Sequence, residues 1–269
     1  MSLVTSAPES IQERLHPLED GRFRFACHPD VPCFTECCRD LRLLLTPYDI
    51  LRLKNHLELT AREFLDGYTS SDFDEQRRLP MVFLQMGDDE RKTCPFVTSE
   101  GCQVYEDRPS ACRIYPIARA SRMHRTHGTV QESYFVLRES HCRGFEEDRH
   151  WTVEEWTGDQ GLDDYHTMNN RWMEIITHPK VVNGPPPSTR QQQMFFMASY
   201  NLDAFRDFVL GSRFLTLFEM GEEEKEALSS SEEALLLLAF RWLAFSLCGQ
   251  PTLTMKGHSA GRGPGGKNP

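Results

Sequence analysis

The sequence predicts an α+β fold: a small irregular sheet and loops around a cysteine-rich site, followed by a helical C-terminal extension. Three observations predict it. Eight of the nine cysteines lie between Cys27 and Cys142. The same stretch is cut into short, strand-length segments by glycine and proline. From Thr152 onward the apolar residues recur with helical spacing instead.

Taken in order, residues 1–21 are polar and read as a loosely held arm. Cys27 to Cys38 includes Pro29 and Pro32 and lacks helical periodicity, so it reads as a loop wrapped around something. Leu41, Leu43 and Leu45 alternate, which predicts a short strand. Thr46-Pro47 opens a helix, with threonine as N-cap and proline in the first turn. Thr60 and Glu63 form a capping-box pattern ahead of Phe64 and Leu65. Met81 to Met86 reads as a strand, Gly87-Asp88-Asp89 as a turn, and Cys94 to Val97 as the returning partner. Gly101 permits a tight turn before Cys102. Arg108-Pro109-Ser110 starts a helix that delivers Cys112 one turn later. Arg113 to Ala118 and Tyr134 to Leu137 read as a hairpin.

Beyond Thr152, Leu162, Tyr165, Met168, Asn169 and Trp172 share one helical face, and Pro179 ends that helix. Gly184-Pro185-Pro186-Pro187 is a stiff connector. Further helices are expected over about 188–200, 202–210 and 231–248, with Ser231 capping the last. The glycine-rich end is expected to be disordered. The resulting division is an arm over 1–21, a cysteine-cluster domain over 22–182, a helical extension over 188–250 and a tail over 251–269.

Composition narrows the function. The N-terminal stretch has neither a basic n-region nor an apolar h-region and does not read as a secretory signal. That points to a reducing cytoplasm, where clustered thiols bind metal more often than they form disulfides. The longest apolar run, Ala234 to Cys248, contains Arg241 and is too short for a bilayer. It reads as a buried helix, so no membrane association is expected. A formal net charge of −10 disfavours nucleic acid as a partner. Arg113, Arg119, Arg122 and Arg125, with His124 and His127, read as a solvated loop between two strands. The C-terminal helices are the expected place for any protein partner. No dinucleotide loop, G-x-S-x-G, H-E-x-x-H or Walker motif occurs in a suitable context.

The chemistry therefore rests on the thiols. Their order is Cys27-x5-Cys33-x3-Cys37-Cys38, then Cys94, Cys102, Cys112 and Cys142. A structural zinc site takes four such ligands in a tetrahedron. Ordinary zinc knuckles repeat C-x2-C, and these spacings do not. Adjacent side chains point apart, so Cys37 and Cys38 reach one small ion only through a bent backbone. Each more readily serves a different metal, or a different iron of one cluster. Eight thiols also suffice for two four-sulfur zinc sites. The expected metal ligands are Cys27, Cys33, Cys37, Cys38, Cys94, Cys102, Cys112 and Cys142, holding zinc, iron or an iron–sulfur cluster. Cys248, alone in an apolar helix, reads as a packed side chain. His28 and His141 each adjoin a cysteine and are read as bystanders. A thiol-redox or metal-sensing module is the alternative these residues leave open.

The run Cys94-Pro95-Phe96, Gly101-Cys102-x2-Tyr105-x2-Arg108-Pro109-x2-Cys112-x2-Tyr115-Pro116, then Cys142-x-Gly144, resembles the bacterial cysteine-cluster family of the YkgJ type. The resemblance covers about residues 20 to 180. The family's first knuckle is tighter than the five residues between Cys27 and Cys33. The resemblance implies a zinc- or iron-chelating domain, with Tyr105, Arg108, Pro109, Tyr115 and Pro116 as scaffold around the ligands. Through the related flagellin lysine N-methylases it also implies an alternative, an iron–sulfur-dependent enzyme such as a protein lysine N-methylase.

Overall fold

The structure, a computed structural model, describes residues 14–75, 78–123 and 130–257. The fold is α+β, with small separate sheets and with helices concentrated in the C-terminal half. Packing groups the chain into two compact units, neither continuous in sequence. One takes residues 1–43 and 84–167; the other takes 44–83 and 168–269. All eight clustered cysteines fall in the first unit, and Cys248 falls in the second.

The first unit is built on a three-stranded antiparallel sheet, in the order Leu15–Pro17, Val130–Leu137, Ile117–Met123. Leu15 pairs with Leu137, and Ile117 with Val136. Part of the expected arm is thus tied into a sheet. Arg22–Arg24 pairs with His150–Thr152, which sets Phe23 opposite Trp151. Behind these strands Phe23, Phe25, Ile117, Val136, Trp151 and Trp156 form the core. Trp156 stands edge-on to Phe23, Phe25 and Trp151, with centroids 5.8, 5.7 and 5.1 Å away, the arrangement ring quadrupoles favour. Both indole N–H groups donate to carbonyls, Trp151 to Phe25 at 2.9 Å and Trp156 to Ile114 at 3.1 Å.

The second unit packs helices. Pro47–His56 begins with a capping box between Thr46 and Asp49, and Ala61–Tyr68 with one between Thr60 and Glu63. Thr189–Tyr200, Leu202–Gly211 and Glu232–Cys248 follow the expected pattern. Ser231 caps the last of these, and Gly249, at φ 65°, ends it in the left-handed conformation. That helix is buried, as its apolar run implies, and Arg241 escapes by pairing with Glu224. No helix among the described residues is long and apolar enough to cross a membrane.

Several local expectations need correcting. Leu41, Leu43 and Leu45 make no strand; a single bridge joins Leu44 to Phe83. The strand near Met81 spans Leu79–Leu84 and pairs with Thr69–Asp74, not with the segment after Cys94. Val97–Thr98 instead folds onto Gly101–Cys102. Arg113 lies in the helix Ser110–Ile114, and the strand starts only at Ile117. Pro179 opens a short helix, Pro179–Val182, after Asp163–Ile176 has already ended. The expected connector at Gly184–Pro187 lies inside the second unit. His124, Arg125, His127 and the tail beyond residue 257 lie outside the described residues, and nothing is described of the Arg122 side chain.

Candidate metal centre

Four separate stretches deliver the cysteines, and backbone hydrogen bonds set each one. Residues 28–38 wind through successive tight turns. Val31 N–H donates to His28, Phe34 to Val31, Glu36 to Cys33 and Cys38 to Thr35, all at 2.8–3.0 Å. Thr35 takes φ 67°, and Glu36–Cys38 forms one 3₁₀ turn. This is the bent backbone that a vicinal pair needs. Cys94 N–H then donates to the Cys38 carbonyl at 2.9 Å, joining the second stretch to the first. Cys94 leads into the small hairpin in which Val97 faces Cys102. Gly101, at φ 124°, makes its turn. Pro109 precedes the helix that carries Cys112, whose N–H donates to the Pro109 carbonyl at 2.9 Å.

The fourth stretch returns Cys142 to the start. Ala26 N–H donates to the Gly144 carbonyl at 3.0 Å, and Arg143 N–H donates to Cys33 Sγ at 3.1 Å. A Cβ at Gly144 would stand 2.6 Å from both the Ala26 oxygen and the Phe25 ring, so only glycine allows this approach. Cys27, Cys33, Cys37 and Cys142 consequently line one small cavity of about 10 Å³, with Phe25, Tyr115, His141 and Gly144. That is room for about one small ion or water.

Cys38, Cys94, Cys102 and Cys112 are absent from that lining and act on one another. Cys38 feels Cys37, Cys112 and Cys94, Cys94 feels Cys102 and Cys37, and Cys102 feels Cys37, so Cys37 links the two sets. None of the nine cysteines is in a disulfide. Among the described residues, no three side chains of His, Cys, Asp or Glu already stand closely enough to hold one ion. The thiols are neighbours without standing at metal-ligand spacing.

The electrostatics show what such a group lacks. Burial, followed by the nearby Cys37, Cys33 and Cys142, pushes the Cys27 thiol up to about 12. The hydrogen bond Cys38 donates to Cys37 raises Cys38 and lowers Cys37. Burial raises Cys94, Cys102 and Cys142, against backbone N–H groups that favour their thiolates. Burial comes first for Tyr115 too, with Cys142 next; its hydroxyl is buried without a partner in hydrogen-bond geometry. Packed thiols resist joint ionisation, and a bound cation removes that resistance because a coordinating thiol is deprotonated outright. The donor set therefore fits a thiophilic metal.

Two arginines frame the second group. Arg108 is buried, stacks 3.7 Å above the Tyr105 ring, and donates to the Tyr105 carbonyl and to Gln160. Its positive charge favours the Cys102 thiolate. Arg113, expected in a solvated loop, is buried instead. It donates to the Arg108 carbonyl at 3.1 Å, to the Gln160 carbonyl at 2.7 Å and to the Glu106 carbonyl. His28 turns to Glu147 and Asp30, at 3.4 and 3.8 Å. His141, read as a bystander, does line the cavity, and its place before Cys142 was the one available signal.

No curated protein and no solved structure matches the chain. A family model does match residues 26–146, the segment that holds every one of these cysteines, under the description "Putative zinc- or iron-chelating domain". The cysteine-rich segment of this chain is thus similar to the CxxCxxCC family, whose description names metal chelation.

Proposed function

We propose that the first unit chelates zinc or iron through the thiolates of Cys27, Cys33, Cys37, Cys38, Cys94, Cys102, Cys112 and Cys142. One observation carries this reading: cysteines more than a hundred residues apart line a single cavity of about 10 Å³. Buried thiols could pack as small hydrophobes. Packing alone, however, gives no reason for an N–H aimed at Cys33 sulfur or for a buried arginine beside Cys102. Both features stabilise thiolate charge and tune a bound metal. The metal's own contribution would be to hold distant loops together and keep the thiols ionised.

The test is anaerobic purification followed by elemental analysis and an absorption spectrum. Bound zinc gives a colourless protein, bound iron a coloured one. A folded, metal-free chain that takes up neither metal when reduced would overturn the proposal.

A further inference from the structure

We infer that Gln160, outside the matched segment 26–146, is a positioning residue for the metal centre. Its side chain holds Arg108 and its carbonyl holds Arg113, and together these fix the turn and the helix that carry Cys112. This rests on the metal-binding reading above and deepens it.

Gln160 offers two acceptors in one place. It closes the helix Val153–Asp159, and the last carbonyls of a helix lack partners within it. Gly161, at φ 59°, then turns the chain away in the left-handed conformation. The Gln160 carbonyl is left to Arg113, whose Nη1 donates to it at 2.7 Å. The side-chain amide donates from Nε2 to Asp159 at 2.9 Å. An ionised carboxylate only accepts, so this contact fixes the amide orientation and presents Oε1 to Arg108. Gln160 and both arginines are buried.

The arginines carry that hold to the cysteine. Arg108 also donates to the Tyr105 carbonyl and stacks on the Tyr105 ring. Arg113 donates to the carbonyls of Arg108 and Glu106 and lies 4.7 Å from the centroid of the Tyr165 ring. Cys112 directly precedes Arg113 in Ser110–Ile114, a helix of five residues with no side-chain hydrogen bond at its start. So short a helix does not hold itself, and contacts from outside set its place. Hydrogen-bonded groups behind metal ligands orient them, and losing one typically costs about 10- to 100-fold in metal affinity.

The experiment loads the reduced full chain with zinc and compares it with two variants. Gln160→Met keeps the side-chain length and offers Arg108 no acceptor. Asp159→Asn with Gln160→Glu exchanges the two groups and keeps an acceptor toward Arg108. Zinc affinity is read by competition with a chromophoric chelator, and the reactivity of each cysteine in the loaded protein by alkylation and peptide mass spectrometry. Gln160→Met should lower the affinity about 10-fold and raise the reactivity of Cys112 more than that of Cys27 or Cys142. The exchanged pair should restore both. Unchanged affinity, a loss the exchanged pair does not restore, or reactivity rising equally at every cysteine, as general destabilisation would produce, would overturn this inference and leave the metal-binding reading standing. No zinc or iron on the unsubstituted chain would overturn both. Where Gln160→Met fails to fold, as circular dichroism would show, Gln160→Asn, which withdraws the acceptor by one methylene, is held to the same criteria.

Discussion

At Gly144 a hydrogen atom in place of a methyl group sets the distance between two stretches of chain far apart in sequence. The Ala26 carbonyl and the Phe25 ring occupy the space a Cβ would need. Overpacking of this kind costs about 1–3 kcal/mol. Gly144→Ala should therefore lower the urea midpoint and push Cys27 away from Cys142, weakening metal affinity as well. Equal stability and equal affinity would contradict the close approach. Trp156→Ala removes the ring on which three aromatic neighbours converge and should cost about 3–5 kcal/mol, measured by denaturant unfolding. The cysteines were legible at this scale because thiol density has few chemical explanations. Arg108 and Arg113 were not. A charged residue reads as surface until its partners are known, and Gln160 lies about fifty residues away in sequence.

Among elements, the helix N-caps at Thr46, Thr60 and Ser231 were legible, since a cap and its partner sit within four residues. Thr46, Thr60 and Ser231 all cap as their sequence patterns imply. Thr46→Ala should cost about 1 kcal/mol in a thermal or denaturant melt. Thr69–Asp74 was illegible because it is mostly exposed and carries no apolar alternation, so its pairing with Leu79–Leu84 left no trace in the pattern. The start of Glu232–Cys248 is pinned by an ion pair: Lys54 Nζ lies 2.9 Å from Glu232, with Asn55 and Arg206 beside it. Burial raises the Glu232 carboxyl. The hydrogen bonds from Lys54 and Asn55 and the charges of Lys54 and Arg206 outweigh it and hold the group below its ordinary 4.5. A depressed carboxyl contributes stability that is full above its unfolded value and is lost as pH falls through the folded one. Acid melts below pH 4.5 should therefore weaken the second unit, and Glu232→Gln should flatten that part of the pH dependence. An unchanged acid profile would contradict the pair's contribution.

For the whole molecule, the sequence placed a cysteine domain before a helical extension, and the α+β class with a helical C-terminal half follows that order. Grouping 44–83 with 168–269 was illegible, because a helix pattern says which face is buried but not which distant helix covers it. The grouping has a consequence for metal removal. Structural metal contributes ~10 kcal/mol or more of folding free energy. Chelation under reducing conditions should speed amide exchange across 14–43 and 84–167 and leave 44–75 and 168–257 protected; uniform loss of protection would contradict this. The claim beneath all of these is that sulfur holds the metal. X-ray absorption at the edge of the co-purifying metal tests it most directly. The account predicts a first shell of sulfur alone, near ~2.3 Å if the metal is zinc. A shell of nitrogen and oxygen would contradict it.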